Sequence, residues 1–143
     1  MTELTVDRRL SAWVELRKSL NNSDDPLTQV AEFWGHVPFT AYNKSVDPYN
    51  QRSWPCPWEI ISENVYDDFT TAIMIGYTLL LTEKFANSHV EIKTMVDKDQ
   101  KKLYNLVYLD NEDVLNFDTG PIKAQDIPDS FQLENLVILQ RPR

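Results

Sequence analysis

Around Asn87 the spacing of apolar residues switches from a helical period to a period of two, dividing the chain into a helical part, 1–86, and a sheet part, 89–140. In the first part, Leu10, Trp13, Val14 and Leu20 recur at helical spacing behind a cap at Thr5 or Asp7, and NNSDD at 21–25 ends that helix. DPLTQVAEFWG follows, with Asp25 as N-cap, Pro26 at the first helical position, a stripe of Leu27, Val30, Ala31 and Trp34, and Gly35 as the stop. Residues 36–53 hold no sustained period and read as a long connection held down by Phe39, Tyr42 and Tyr49. In WPCPWEII, Cys56 caps a third short helix, Pro57 starts it, and the Glu59 carboxylate meets free backbone N–H groups. YDDFTTAIMIGYTLLLTEKF is apolar on nearly every face. It predicts a buried central helix of about twenty residues in which Gly76 lets a neighbouring element come close.

Beyond Asn87, Val90, Ile92, Thr94 and Val96 alternate with Glu91, Lys93 and Met95, DKDQ turns the chain, and KLYNLVYL returns. VLNF and LENLVILQ supply a third and a fourth strand. The expected fold is α+β in one domain, 1–143: amino-terminal helices, then a roughly four-stranded antiparallel sheet packed on the central helix.

Composition narrows the function. Of 143 residues, 22 are acidic and 14 basic, a net charge of −8 that repels a phosphate backbone, so no nucleic-acid partner is expected. Three glycines cannot build a phosphate-binding loop, and no nucleotide cofactor follows. The absence of a basic-then-apolar start and of a long apolar run argues against a signal peptide and a membrane span. One cysteine leaves no disulfide framework and no cysteine-based metal site, and no metal or other cofactor is implied.

Four constellations carry candidate chemistry. Asp67 and Asp68 could do acid/base work, although first-turn acids need only the helix dipole to explain them. His36 has no ligand-spaced partner and only Asp47 as a speculative one. Asp110, Glu112, Asp113 and Asp118 form an acidic group without the spacing of a calcium loop, and they suit a basic partner surface. The fourth is the order Cys56, His89, Asp110: a thiol near a helix start, a histidine opening a strand, an acid ending its neighbour. That order, with a central helix followed by a meander, resembles papain-like and transglutaminase-like enzymes. In those enzymes the cysteine begins the central helix itself, whereas here Val65, Tyr66, Asp67 and Asp68 hold that place.

The run DPYNQRSWPCPWEIISEN, followed by YDDFTTAIMIGYTLLLTEKF, resembles small uncharacterised proteins of contractile-tailed phages that infect marine cyanobacteria, a likeness spanning residues 26–143. It implies a phage product folded in the host cytoplasm and carried as a virion or assembly component. The primary expectation is therefore a non-enzymatic structural or assembly protein. It would bind another phage protein through Phe39, Tyr42, Tyr49, Trp54 and the turn acids Asp110, Glu112 and Asp113. The second reading is a cysteine-dependent transglutaminase-like or peptidase-like enzyme, whole or degenerate, using Cys56, His89 and Asp110. An early protein that captures a host factor is a third. The rigid Pro57–Glu59 turn accounts for Cys56 without chemistry, so Cys56→Ser is expected to be neutral, and Trp58→Ala is expected to cost a few kcal/mol as loss of a buried aromatic (about 3–5 kcal/mol).

Overall fold

The computed structural model describes residues 4–142, so the outermost positions of the expected domain lie outside it. Four helices precede a five-stranded antiparallel sheet, an α+β fold. Helix α1 (Val6–Leu20) starts where the Thr5 hydroxyl accepts the Arg8 N–H. Helix α2 (Pro26–Trp34) starts on the Asp25 carboxylate, with Pro26 in its first turn and Gly35 at its end. Helix α3 (Pro57–Glu63) is entered through the Cys56–Glu59 capping box and stopped by Asn64 in the left-handed region, φ 56°. These caps stand where the sequence puts them, because each satisfies backbone N–H groups that have no partner inside the helix.

Helix α4 (Asp68–Leu80) is the buried centre of the molecule, with every residue from Ala72 to Leu80 buried, but it is 13 residues long, not about twenty. Its apolar composition continues into Leu81. There a single 3-10 turn, Glu83–Phe85, replaces the α-helix, and the Lys84 N–H donates to Asn21 Oδ1 at 3.1 Å. Two tryptophans are fastened to α4 by one hydroxyl. The indole N–H groups of Trp13 and Trp34 donate to Thr78 Oγ1 at 2.9 and 3.0 Å, and Thr78 donates onward to the Met74 carbonyl. Buried indoles thereby keep their polar atoms paired.

The strands are β1 (Val90–Asp97), β2 (Lys102–Leu109), β3 (Asp113–Leu115), β4 (Ile122–Lys123) and β5 (Phe131–Leu139), in spatial order β4-β3-β2-β1-β5. Strand β4 raises the expected four strands to five, and β5 starts earlier than LENLVILQ, with a bulge opposite Thr94/Met95. Val90, Ile92, Val107, Leu109, Val137 and Leu139 face the helices in the main core. The other face carries a smaller core in which Leu106, Tyr108 and Val114 lie under the chain that runs from Phe117 to Phe131. Gly76 is the point of closest approach. A Cβ there would collide with Leu139 Cδ2 and stand 3.2 Å from Val90 Cγ1, so the sheet seats directly on the helix backbone.

The connection 36–53 is held differently from expectation. Phe39, Tyr42 and Tyr49 are 77, 72 and 78% exposed, whereas Val46 and Asn43 are buried. Asn43 ties the loop to the head of α4: its N–H donates to Asp67 Oδ2, and its side-chain amide donates to the Val65 carbonyl and to Thr70 Oγ1. A polar anchor does the work assigned to aromatics because the entry to α4 offers acceptors for it: the Asp67 carboxylate, the Val65 carbonyl and the Thr70 hydroxyl. Trp58 is likewise 39% exposed and not buried, although its ring meets Trp13 edge-on at 5.8 Å. No helix among the described residues is long and apolar enough to cross a membrane.

Candidate functional site

Cys56, His89 and Asp110 do not form a catalytic triad. The Cys56 thiol donates to Glu59 Oε1 at 3.1 Å on the helical side of the sheet. Burial pushes its pKa up, and the adjacent Glu59 carboxylate adds to the rise, the reverse of an activated thiol. His89 immediately precedes β1, with Nε2 3.3 Å from Glu91 Oε2, and Glu91 alternates to the sheet face opposite the α4-facing Val90 and Ile92. Asp110 accepts the backbone N–H of His89 at 2.7 Å, so its carboxylate locks the strand end and does not orient the imidazole. The remaining turn acids are occupied as well, since Lys123 Nζ lies 2.8 Å from Asp113 and 3.8 Å from Glu112. Of the aromatics expected at a partner surface, Phe39, Tyr42 and Tyr49 are open, while Trp54 is half-buried, edge-on to Phe69 at 5.5 Å and donating its indole N–H to the Asp47 carbonyl. Among the described residues no hydrogen bond or ion pair joins His36 to Asp47, whose Oδ1 accepts the Tyr49 N–H.

The constellation that does assemble stands at the head of α4. Asp67 caps the helix, accepting the Thr70 N–H at 2.7 Å on one oxygen and the Asn43 N–H at 3.1 Å on the other. Asp68, the next residue, turns toward the sheet. Its Oδ2 accepts both the backbone N–H and the side-chain amide of Asn105, at 3.1 and 2.9 Å, and its Oδ1 accepts from the Asn116 amide at 3.2 Å. Asn116 also donates to the Asn105 carbonyl at 2.8 Å, and Thr94 donates to Asn105 Oδ1 at 2.7 Å. A helix head, the middle of β2 and the residue after β3 thus converge on one carboxylate. Although Asp68 keeps solvent on one side, burial raises its pKa more than the Asn105 and Asn116 donors lower it.

Sequence reasoning read Asp68 as a dipole acid and did not single out Asn105 or Asn116. One signal is present in the sequence: Asn105 is a polar residue at a core-facing position of an otherwise apolar strand; the left-handed backbone of Asn116, φ 69°, is visible only in the structure. Beside this cluster lies a cleft of about 250 Å³ between α2, α4 and the chain after β3, lined in part by Trp34, His36, Thr71, Asn116 and Asp118.

No family model and no curated protein sequence matches the chain. Solved structures do. Calcium-bound LapG of Legionella pneumophila matches at TM-score 0.69 and 19% identity, over 92% of this chain and 75% of that one. A second structure of Legionella pneumophila LapG matches at TM-score 0.68 and 20% identity, over 93% and 79%. The EGTA-treated form matches at 0.67 and 20%, over 90% and 71%. LapG is a calcium-dependent cysteine protease of transglutaminase/papain-like fold, so the topological likeness expected from the sequence holds. The same likeness corrects the primary expectation of a structural or assembly component: it supports instead the second reading, a transglutaminase-like or peptidase-like protein, whole or degenerate. Among the described residues no group of three or more His, Cys, Asp or Glu side chains is placed to hold a metal ion, and Asp67 and Asp68 accept from protein donors.

Proposed function

We propose that this chain is a transglutaminase-like, peptidase-like protein with a degenerate site, which receives an extended polypeptide in the cleft at the head of α4 and does not carry out thiol chemistry on it. One observation carries the reading. The helix head, where the enzymes of this fold place their cysteine, contributes a carboxylate, and β2 and the residue after β3 bring amides to it. Asparagine neither titrates nor abstracts a proton, and an ionised carboxylate held by three donor groups is a hydrogen-bond hub, not a nucleophile poised beside a base. The chain's one thiol stands elsewhere, paired with Glu59. What this chain offers beside that hub is the cleft. Backbone groups beside Asn116 and side chains such as Thr71 and His36 on its walls supply donors and acceptors suited to a peptide's amides.

The test is a mixture of unstructured peptides incubated with the wild-type chain and with Cys56→Ser, followed by binding and by mass spectrometry for new peptide ends. Both proteins are expected to bind equally well and to leave the peptides intact. Cleavage or acyl transfer by the wild type that Cys56→Ser abolishes would overturn the degenerate reading, and the absence of any peptide binding would overturn the peptidase-like one.

A further inference from the structure

The cleft beside Asn116 has an uneven lining. Its floor is apolar, built from Ala31, Trp34 and Ile75, and its mouth carries two exposed carboxylates, Glu32 from α2 and Asp118 from the chain after β3. No Lys or Arg lines it. Among the described residues neither carboxylate joins an ion pair, in contrast to Glu112 and Asp113, which share Lys123. Asp118 spends one oxygen on the neighbouring Thr119 N–H at 2.8 Å, while Glu32 accepts no hydrogen bond among these residues. The volume of about 250 Å³ lies below the range of roughly 300–1,000 Å³ usual for whole small-molecule sites, and suits a single long side chain.

An apolar floor under an anionic rim selects an amphipathic cation, whose methylene stem lies along the apolar surface while its charged head stays in the wet, acidic mouth. We infer that the cleft takes a Lys or Arg side chain of the bound polypeptide, with Glu32 and Asp118 as its specificity determinants. The inference rests on the proposed peptide-binding function and names the ligand class for that same cleft. The protein's net charge of −8 works in the same direction, drawing basic segments toward the surface before they dock. Phosphopeptides and acidic peptides are disfavoured for the same reason.

The experiment compares fluorescein-labelled peptides that share an Ala/Gly/Ser framework and carry Arg, Lys, Leu or Glu at the central position, with binding read by fluorescence anisotropy. Wild type and Glu32→Gln/Asp118→Asn are compared, and circular dichroism melting establishes that the variant is folded. Arg and Lys peptides are expected to bind about tenfold tighter than the Leu peptide, and the Glu peptide weakest, with the preference shrinking to about threefold or less in the variant. Peptides that bind with no preference for a cation would overturn this inference and leave the peptide-binding function standing. Free N-acetyl-lysine amide competing as strongly as the Lys peptide would also overturn it, because the ligand would then be a small amine. If no peptide of any composition binds, the inference and the function beneath it fall together.

Discussion

Two helix starts in this molecule have similar local chemistry and opposite consequences. At the start of α3, Cys56 and Glu59 cap each other within four residues, and the thiol's hydrogen bond is to the helix's own third residue. At the start of α4, Asp67 does the capping and leaves Asp68 free to bond with residues 37 and 48 positions away. The first arrangement closes on itself. The second gathers a helix and two strands into a polar focus beside a cleft. A reactive residue type in a local cap is a weak sign of chemistry, whereas modest residues from separate elements converging on one point mark where the fold has built a site.

The sharpest way to break this contrast is Asn105→Ala. It would remove a buried amide that bridges Thr94 and Asp68, leaving both short of partners. Stability to urea should fall by about 3 kcal/mol, near the top of the range for orphaned buried polar groups. Trp58→Ala, at the α3 corner, should cost about 2 kcal/mol, below the 3–5 of a fully buried aromatic, because the ring is 39% exposed and its principal aromatic contact is the edge of Trp13. Cys56→Ser should stay within about 0.5 kcal/mol of wild type, since serine is a good N-cap and can keep the reciprocal bond with Glu59. The smallest effect is a titration. The folded-state pKa of Asp68 is raised, so the folded chain holds that proton more tightly than the unfolded one. Its contribution to stability is full below the unfolded pKa and is lost as pH rises through the folded value. Carboxyl NMR should place its midpoint above the ordinary aspartate value, and a midpoint below that value would show that the Asn105 and Asn116 donors outweigh burial.

The same contrast explains which parts of the molecule were legible in the sequence. Caps are local, so Thr5, Asp25 and the Cys56–Glu59 pair could be read from a few neighbouring letters. Alternation over eight residues made β1 and β2 plain, and Gly76 was recognisable as a close approach within an apolar helix. Strand β4, at two residues, is too short to show a period, and the bulge in β5 interrupts alternation where it would have signalled the strand's start. The end of α4 was obscured because Leu79, Leu80 and Leu81 keep the composition apolar while the backbone changes to a 3-10 turn held by Asn21, a residue from the far end of α1. The site was the least legible part. Asp68, Asn105 and Asn116 share no motif, and only tertiary folding reveals that they meet. Conversely, Cys56, His89 and Asp110 stand in a suggestive order, but Asp110 meets only the backbone of His89, the imidazole turns to Glu91 and the thiol to Glu59.

The claim that the α4 head, and not the Cys56 corner, is the working surface is most directly tested by mapping amide NMR shifts while an unstructured peptide mixture is titrated into the wild-type chain. The account predicts that the largest changes fall on Thr71, Asn105, Asn116 and Thr119, with Cys56, Glu59 and His89 unmoved. Shifts centred on Cys56 and Glu59 that leave Asn105 and Asn116 in place would contradict it.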